Sequence, residues 1–192
     1  ISDALGILQS ALTTQEEEVP RGHYEQDNMK ATVVPNRNAI FISFLYAFGL
    51  SLNKRYGQEV TLSLGVHSGD HAIYPDCRIE FYDAILTAFK IGNWDSENIN
   101  LYLPYIDMDK TTIIKEAFQL CSDLSLDFNT VFSNTLTSYA PDLLGRSDGA
   151  TGSDVERILA FGELGIPDPI EYTQPWPVVL ENAQAMERKH RH

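Results

Sequence analysis

Residues 65–81 read Gly-Val-His-Ser-Gly-Asp-His-Ala-Ile-Tyr-Pro-Asp-Cys-Arg-Ile-Glu-Phe, the densest run of chemistry-bearing side chains in the chain. An apolar stretch ends at Val66, and His67, Asp70, His71, Tyr74, Asp76, Cys77 and Arg78 follow before a helical pattern begins. Ionisable residues gathered between a strand and a helix mark the place where open α/β sheets take ligands. His67 and Asp70 close the strand and are placed to orient a substrate or to bind a metal. The bland alternative makes His67 a satisfied structural residue. Zinc held by His67, His71 and Cys77 is a minor alternative: their types suit the ion, but Gly69 and the strand end argue against the helix that i, i+4 spacing requires. Tyr74, Asp76 and Arg78 form the stronger set, a flat ring, an acceptor and a two-pronged cation. Against it stands a Tyr-Pro turn with Asp76 capping the helix that starts at Arg78. Cys77 is either a thiol with its pKa lowered by Arg78 or a small buried residue. Glu80 either balances Arg78 or is an ordinary first-turn glutamate. No Ser-His-Asp set accompanies an elbow motif, which excludes a nucleophilic triad.

A second group lies upstream. Arg37 sits between Asn36 and Asn38 at a predicted helix start. Helix N-termini favour anions, and Arg grips carboxylate or phosphate through two parallel bonds. The competing assignment has Asn36 or Asn38 as N-cap and Arg37 in a surface ion pair. Pattern alone does not separate the two.

The elements that must position these groups read as follows. Leu5, Leu8 and Leu12 hint at a short helix, and Glu16 to Met29 reads as loop. Thr32-Val33-Val34 is β-prone and stopped by Pro35. Phe41, Phe44, Leu45, Phe48 and Leu52 share one face of a helix over 37–56. Ile40, Ile42 and Leu50 add apolar residues elsewhere, so this helix is expected to be buried on more than one side. Gly57 is its expected C-cap. Strands are predicted over Val60–Val66 and Ile99–Ile106. Helices are marked by Tyr82, Ile85, Leu86 and Phe89, ending near Gly92, and by Ile113, Ile114, Ala117, Phe118 and Cys121, with Asp109 as N-cap. Ser153-Asp-Val-Glu156 is a capping-box pattern that starts a helix to about Leu164. Pro167, Pro169, Pro175 and Pro177 punctuate the end. The alternation of helix and strand argues for an α/β layer fold with parallel strands. Two strands alone do not make a stable sheet covered on both faces. Either further strands escape the pattern or another polypeptide supplies them.

With 192 residues the chain can form one domain, or one domain with a small appendage. Its net charge of −13 is the wrong sign for a protein that mainly grips phosphate backbones, so nucleic acid is not the expected ligand. The only basic cluster, Arg188-Lys189-His190-Arg191-His192, reads as a solvated end. No apolar run approaches a membrane span, and the opening residues carry no secretory signal pattern. Cys77 and Cys121 are the only cysteines, which gives no disulfide framework and fits a reducing, cytoplasmic setting. The first residue is Ile1; a processed N-terminus, or the rear part of something longer, is expected.

Several motifs together resemble the QueC family, also called ExsB, the 7-cyano-7-deazaguanine (preQ0) synthases of queuosine biosynthesis. They are Thr32-Val-Val-Pro-Asn-Arg-Asn-Ala-Ile40, Gly65-Val-His-Ser-Gly-Asp70, Tyr74-Pro-Asp-Cys-Arg78 with Glu80-Phe81, and Pro104 to Lys110. Glu18-Val-Pro-Arg-Gly-His-Tyr24 and Gly162 to Tyr172 extend the likeness over nearly the whole chain. The resemblance implies a Rossmann-like fold of the adenine nucleotide α-hydrolase type, a parallel sheet with helices on both faces. It implies a core over residues 1–128 and a small helical subdomain over 129–192. The implied reaction is a carbon–nitrogen ligation: 7-carboxy-7-deazaguanine, ammonia and ATP, with Mg, yield the nitrile. Adenylation of the carboxylate, attack by ammonia to an amide, then a second activation and dehydration are the implied steps.

Carried onto this sequence, the resemblance makes Arg78, Asp70 and Lys110 catalytic. It makes Asn36, Arg37, Asn38, His67, Tyr74 and Asp76 substrate-binding. Tyr74 would stack on the purine-like base, Asp76 accept from its amino edge, and Arg78 hold the carboxylate. Lys110 sits where a family lysine starts the last core helix and would reach phosphate, or is simply a solvated helix residue. Two departures stand out. The family's phosphate loop, Ser-Gly-Gly-x-Asp-Ser, has no counterpart here, so the chain alone should not turn over ATP. The family's four zinc cysteines correspond to Ser138, Asp148, Thr151 and Asp154, poor tetrahedral zinc ligands. That loop is expected to be zinc-free and held otherwise, with Ser153 capping the next helix. The rival expectations are a deazaguanine-binding module completed by a homodimer mate or a partner chain with the phosphate loop, and a relative that attaches activated deazaguanine to another molecule.

Overall fold

The computed structural model describes residues 7–14 and 18–191. They form a mixed α/β chain with a small parallel sheet and fall into two compact units. One unit is Val34–Asp109; the other joins the described residues up to Val33 with those from Lys110 onward. The subdomain boundary expected at residue 128 lies inside the second unit.

The first unit is built on helix α1, Arg37–Tyr56. Its start is local chemistry: Val34-Pro35-Asn36-Arg37 makes a turn closed by Arg37 N–H to Val34 carbonyl at 3.2 Å. Pro35 presets the first central position, and Asn36 adopts φ 55°, a left-handed conformation that asparagine tolerates. The helix ends where predicted, with Gly57 at φ 65° donating to the Asn53 carbonyl at 2.7 Å. Strands β1 (Val60–Ser63) and β2 (Ile99–Tyr102) pair in parallel, Val60 opposite Ile99 and Leu62 opposite Leu101. Both are shorter than the sequence suggests. Pro104 offers no N–H to extend the ladder, and the chain turns there, with Met108 N–H on the Tyr105 carbonyl at 2.9 Å. Helix α2 (Ile79–Gly92) completes the unit.

The core of this unit is Tyr46, Leu62 and Ile99, with Leu86, Phe89 and Leu101 against it. Each fully buried aliphatic side chain of this kind contributes about 1.5–3 kcal/mol. At Gly49 α1 lies close against β1: a Cβ there would meet Leu62 Cδ2 at 3.0 Å. The stripe that α1 buries is therefore Ile42, Tyr46, Gly49 and Asn53. The phenylalanine face predicted to be buried is not. Phe41, Phe44 and Phe48 are 45, 56 and 60 % exposed. The reason is width: two strands about 4.8 Å apart are narrower than a helix about 10 Å across. On β1, Leu62 is buried while Thr61 and Ser63 are exposed.

The second unit is helical. Helices α3 (Lys110–Asp123), α4 (Phe128–Ser133), α5 (Gly152–Glu163) and α6 (Trp176–His190) surround two apolar clusters. Ile114, Cys121, Phe128, Ala160 and Phe161 form one; Val155, Ile158, Val179 and Ala183 form the other. The prolines suggest an ending, but the structure places helix α6 there. Pro175 and Pro177 instead open it, as proline does at a first helical turn. Val179 and Ala183 at i, i+4 supply its buried face. The basic tail thus includes its last turn, Arg188, Lys189 and His190, which complements the helix dipole.

Three smaller expectations are corrected. Residues 7–14 form turns, not a helix, and Leu5 of that pattern lies outside the described residues, as do Glu16 and Glu17. Thr32 ends a 3-10 helix, Asp27–Thr32, and Val33 and Val34 join no strand. Helix α5 is capped by Thr151 with Asp154, not by Ser153 with Glu156. Among the described residues, no helix is long and apolar enough to cross a membrane.

Candidate functional site

A cleft of about 430 Å³ opens in the first unit beside the end of β1. That volume is in the range of small-molecule sites. Arg37, Asn38, Phe41 and Leu45 line it from α1, Ser63 to Val66 from the β1 end, and Asp70 and Cys77 from the following loop. Apolar side chains, Phe41 and Leu45, thus stand in one cleft with a cation, Arg37, and a carboxylate, Asp70.

The loop is folded by its own residues. His67 Nδ1 accepts from Gly69 N–H at 3.1 Å, and its Nε2 stands 3.5 Å from Asp70. A 3-10 turn, Ser68–Asp70, follows. Tyr74 N–H reaches the Asp70 carbonyl at 2.9 Å, and Pro75 opens a second 3-10 turn through Cys77. Arg78 Nε donates to the His71 carbonyl at 2.8 Å, closing the segment on itself.

Asn38 ties this loop to α1. Its side-chain amide donates to the Asp76 carbonyl and to Cys77 Sγ, both at 3.3 Å. In return Asp76 Oδ2 accepts from Asn38 N–H at 3.3 Å. Asp76 is therefore a cap, but of α1 rather than of the helix following its own turn. Asn36, in the N-cap position, makes no side-chain cap bond, so a carboxylate from a distant turn fills that role. The Arg37 guanidinium carbon lies 5.8 Å from the Tyr74 ring centroid, a cation–π distance.

Burial, then the charges of Asp70 and Asp76, push the Cys77 thiol up to about 12; the Asn38 bond and Arg37 offset this only partly. Cys77 is thus a protonated, inert thiol near neutrality, not the activated one considered from its neighbour Arg78. Tyr82 of α2 is fully buried and its hydroxyl has no hydrogen-bond partner. Its pKa is raised by burial, with Cys77, Asp76 and Asp70 adding to the effect. The sequence marked Tyr82 only as a helix position. Phe41 and Leu45, expected on a buried face of α1, line the cleft instead.

The predicted site residues thus divide by place. Arg37, Asn38 and Asp70 line the cleft; Tyr74 contacts Arg37; Asp76 caps α1; His67 faces Asp70; Arg78 is exposed at the loop's outer side. Lys110 belongs to the other unit, where its ammonium pairs with the Glu156 carboxylate. His67, His71 and Cys77 form no metal-binding group. Among the described residues such a group occurs at His23, Glu25 and His190. There His23 Nδ1 accepts from Glu25 N–H at 3.2 Å, which leaves the proton on Nε2, 2.5 Å from Glu187. A metal-bound histidine donates from its second nitrogen, so His23 is arranged for a hydrogen bond and not for a metal.

The profile of the family described as Queuosine biosynthesis protein QueC matches residues 2–165. A 7-cyano-7-deazaguanine synthase of Marinomonas sp. (strain MWYL1) is 39 % identical over 166 residues, 86 % of this chain and 68 % of that protein. The 7-cyano-7-deazaguanine synthase 1 of Colwellia psychrerythraea is 40 % identical over 168 residues, again 86 % and 68 %. For the 7-cyano-7-deazaguanine synthase of Methanoregula boonei the identity is 38 % over 166 residues, 86 % and 69 %. No solved structure matches. Family profile and relatives agree with the motifs gathered around the cleft: this chain belongs to the QueC family.

Proposed function

We propose that this chain acts in ATP-dependent conversion of 7-carboxy-7-deazaguanine and ammonia to 7-cyano-7-deazaguanine, and that the cleft of the first unit holds the deazaguanine. The carrying observation is the likeness, along most of the chain, to relatives named as synthases of that nitrile. The cleft supports it chemically. Phe41 and Leu45 offer an apolar wall to a flat ring. Arg37 offers a cation to a carboxylate, and Asp70 an acceptor to ring or amino N–H. Tyr74 stacks from the Arg37 side, and His67 holds Asp70 in place. Arg78 reaches the carboxylate by exchanging its bond to the His71 carbonyl; Lys110 reaches phosphate only by leaving Glu156. A carboxylate is a poor electrophile, and adenylation supplies the leaving group that ammonia displaces. Magnesium would accompany the nucleotide phosphates. We place the fold in the adenine nucleotide α-hydrolase type and the reaction in the cytoplasm.

One observation favours a partner-dependent form of this reading. The exposed Phe41, Phe44 and Phe48 face and the two-stranded sheet are what a chain lacking its remaining strands would show. In that form the phosphate-binding loop comes from outside the 192 residues, and this chain supplies the base-side pocket. The test is an incubation of the protein with ATP, magnesium, ammonia and 7-carboxy-7-deazaguanine, read by mass spectrometry. Nitrile with AMP supports the synthase. Tight binding of the carboxylated base by calorimetry, without AMP, supports the partner-dependent form. Neither turnover nor binding would end both.

A further inference from the structure

The loop between α4 and α5, together with the first turn of α5, holds the four positions that the family resemblance gives to zinc-binding cysteines. Ser138, Asp148, Thr151 and Asp154 do not fit that ion. Structural zinc takes thiolates and imidazoles in a closed tetrahedron, and here two hydroxyls and two carboxylates replace them. The side chains are also otherwise engaged. Asp148 turns to Arg21, 2.6 Å away, and caps Ala150 N–H at 3.0 Å. Ser138, Thr151 and Asp154 bond to one another.

Their geometry has a centre. Asp154 is 1 % exposed. Its Oδ2 accepts from Ser138 Oγ at 3.0 Å, Thr151 N–H at 3.2 Å and Thr151 Oγ1 at 2.6 Å. Ser153 adds a parallel tie, donating to the Thr137 carbonyl at 2.8 Å. The two ends of the loop are thus held by one buried carboxylate and one hydroxyl. Its outer turn is closed on itself: Asp142 accepts from Leu144 and Arg146 N–H at 2.9 and 2.8 Å. Arg21 and Thr151 pair as an isolated bridge, and Gly22 N–H meets the Ala150 carbonyl at 2.9 Å, so the segment before Val33 is fastened to the same loop end.

We infer that Asp154 has replaced the metal as the organiser of this loop, so that the second unit holds its structure without zinc. A carboxylate does this when it is buried and commits one oxygen to the loop. Both hold here. Oδ2 accepts three bonds, and Oδ1 is buried with no protein donor, so removing the Oδ2 partners strands a desolvated carboxylate. The arrangement also explains why the capping box sits at Thr151 and Asp154: the residues that end the loop are the ones that start α5.

The test uses the whole chain. Elemental analysis should find no stoichiometric zinc, and a chelator should leave the thermal midpoint unmoved. One equivalent of zinc, or a midpoint lowered by chelator, overturns the inference. Asp154→Ala should lower the midpoint by roughly 5–10 °C and speed tryptic cleavage at Arg146 about tenfold or more. Should that variant fail to fold, Ser138→Ala and Thr151→Val each remove one partner of Oδ2. Each should lower the midpoint by roughly 2–4 °C and speed the same cleavage. Wild-type midpoints and cleavage rates in both would refute the role given to Asp154.

Discussion

The two compact units treat polar residues in opposite ways. In the unit from Val34 to Asp109, Arg37, Asn38 and Asp70 line an open cleft, Arg78 is exposed, and aromatic rings on α1 face solvent. In the other, the most deeply buried ion pair, Arg157 with Asp168, is answered on several sides. Arg157 reaches Asp168 through two bonds of 2.5 and 2.8 Å, Tyr172 adds its hydroxyl at 2.8 Å, and Thr135 takes the remaining guanidinium arm at 2.9 Å. The first unit has hydrogen-bonding capacity left for a ligand; the second has used its own to hold a shape. On the proposed function, the family motifs of the first unit bear on binding, and the altered loop of the second bears on stability.

The largest effect should come from breaking the closed network. Asp168→Ala leaves Arg157 buried without a counter-charge and should cost about 3–5 kcal/mol in urea unfolding. A loss under about 1 kcal/mol would mean the pair is not buried as described. On the open side, Arg37→Ala should weaken binding of 7-carboxy-7-deazaguanine by about tenfold to a hundredfold in calorimetry, with the far-UV circular dichroism unchanged. Equal affinity would remove Arg37 from the ligand.

A pH profile separates the units further. Burial, then the neighbouring His190, hold His23 below its ordinary value despite its bond to Glu187. The unfolded chain then takes up that proton first as pH falls. The stability from neutral His23 is thus full above about pH 6.5 and is lost as pH drops towards its folded value. Glu187, Glu25, His190 and Tyr24 face this ring. Thermal midpoints measured downward from pH 8 should fall in that window, and His23→Gln should flatten the slope. A wild-type profile in the variant would assign the slope elsewhere. The smallest effect belongs to the open face of α1: Phe48→Ser should change stability within about 0.5 kcal/mol. A loss of several kcal/mol would show that this ring is covered in solution.

What the sequence made legible was local. Helix α1 matches its predicted range because a Pro-Asn turn and a glycine fix its ends within a few residues. Strand ends were overrun because alternation continues past the point where Pro104 removes a donor. The cap by Asp76 was assigned to the wrong helix because its true partner, Asn38, is distant in sequence and near only after folding. Pairing of Lys110 with Glu156, and of His23 with Glu187, was invisible for the same reason. The Asp154 centre left a trace in the Thr-x-x-Asp spacing, but the adjoining Ser-x-x-Glu spacing drew the cap instead.

The placement of sulfur has a consequence of its own. The chain has two cysteines, both buried, and the Cys77 thiol is held protonated. With the loop at Ser138 to Asp154 free of thiols, the chain's only thiols are two buried ones, and its oxidisable thioethers, Met29, Met108 and Met186, lie outside that loop. The fastening of that loop rests on hydroxyl and carboxylate hydrogen bonds, which oxidation of sulfur does not reach.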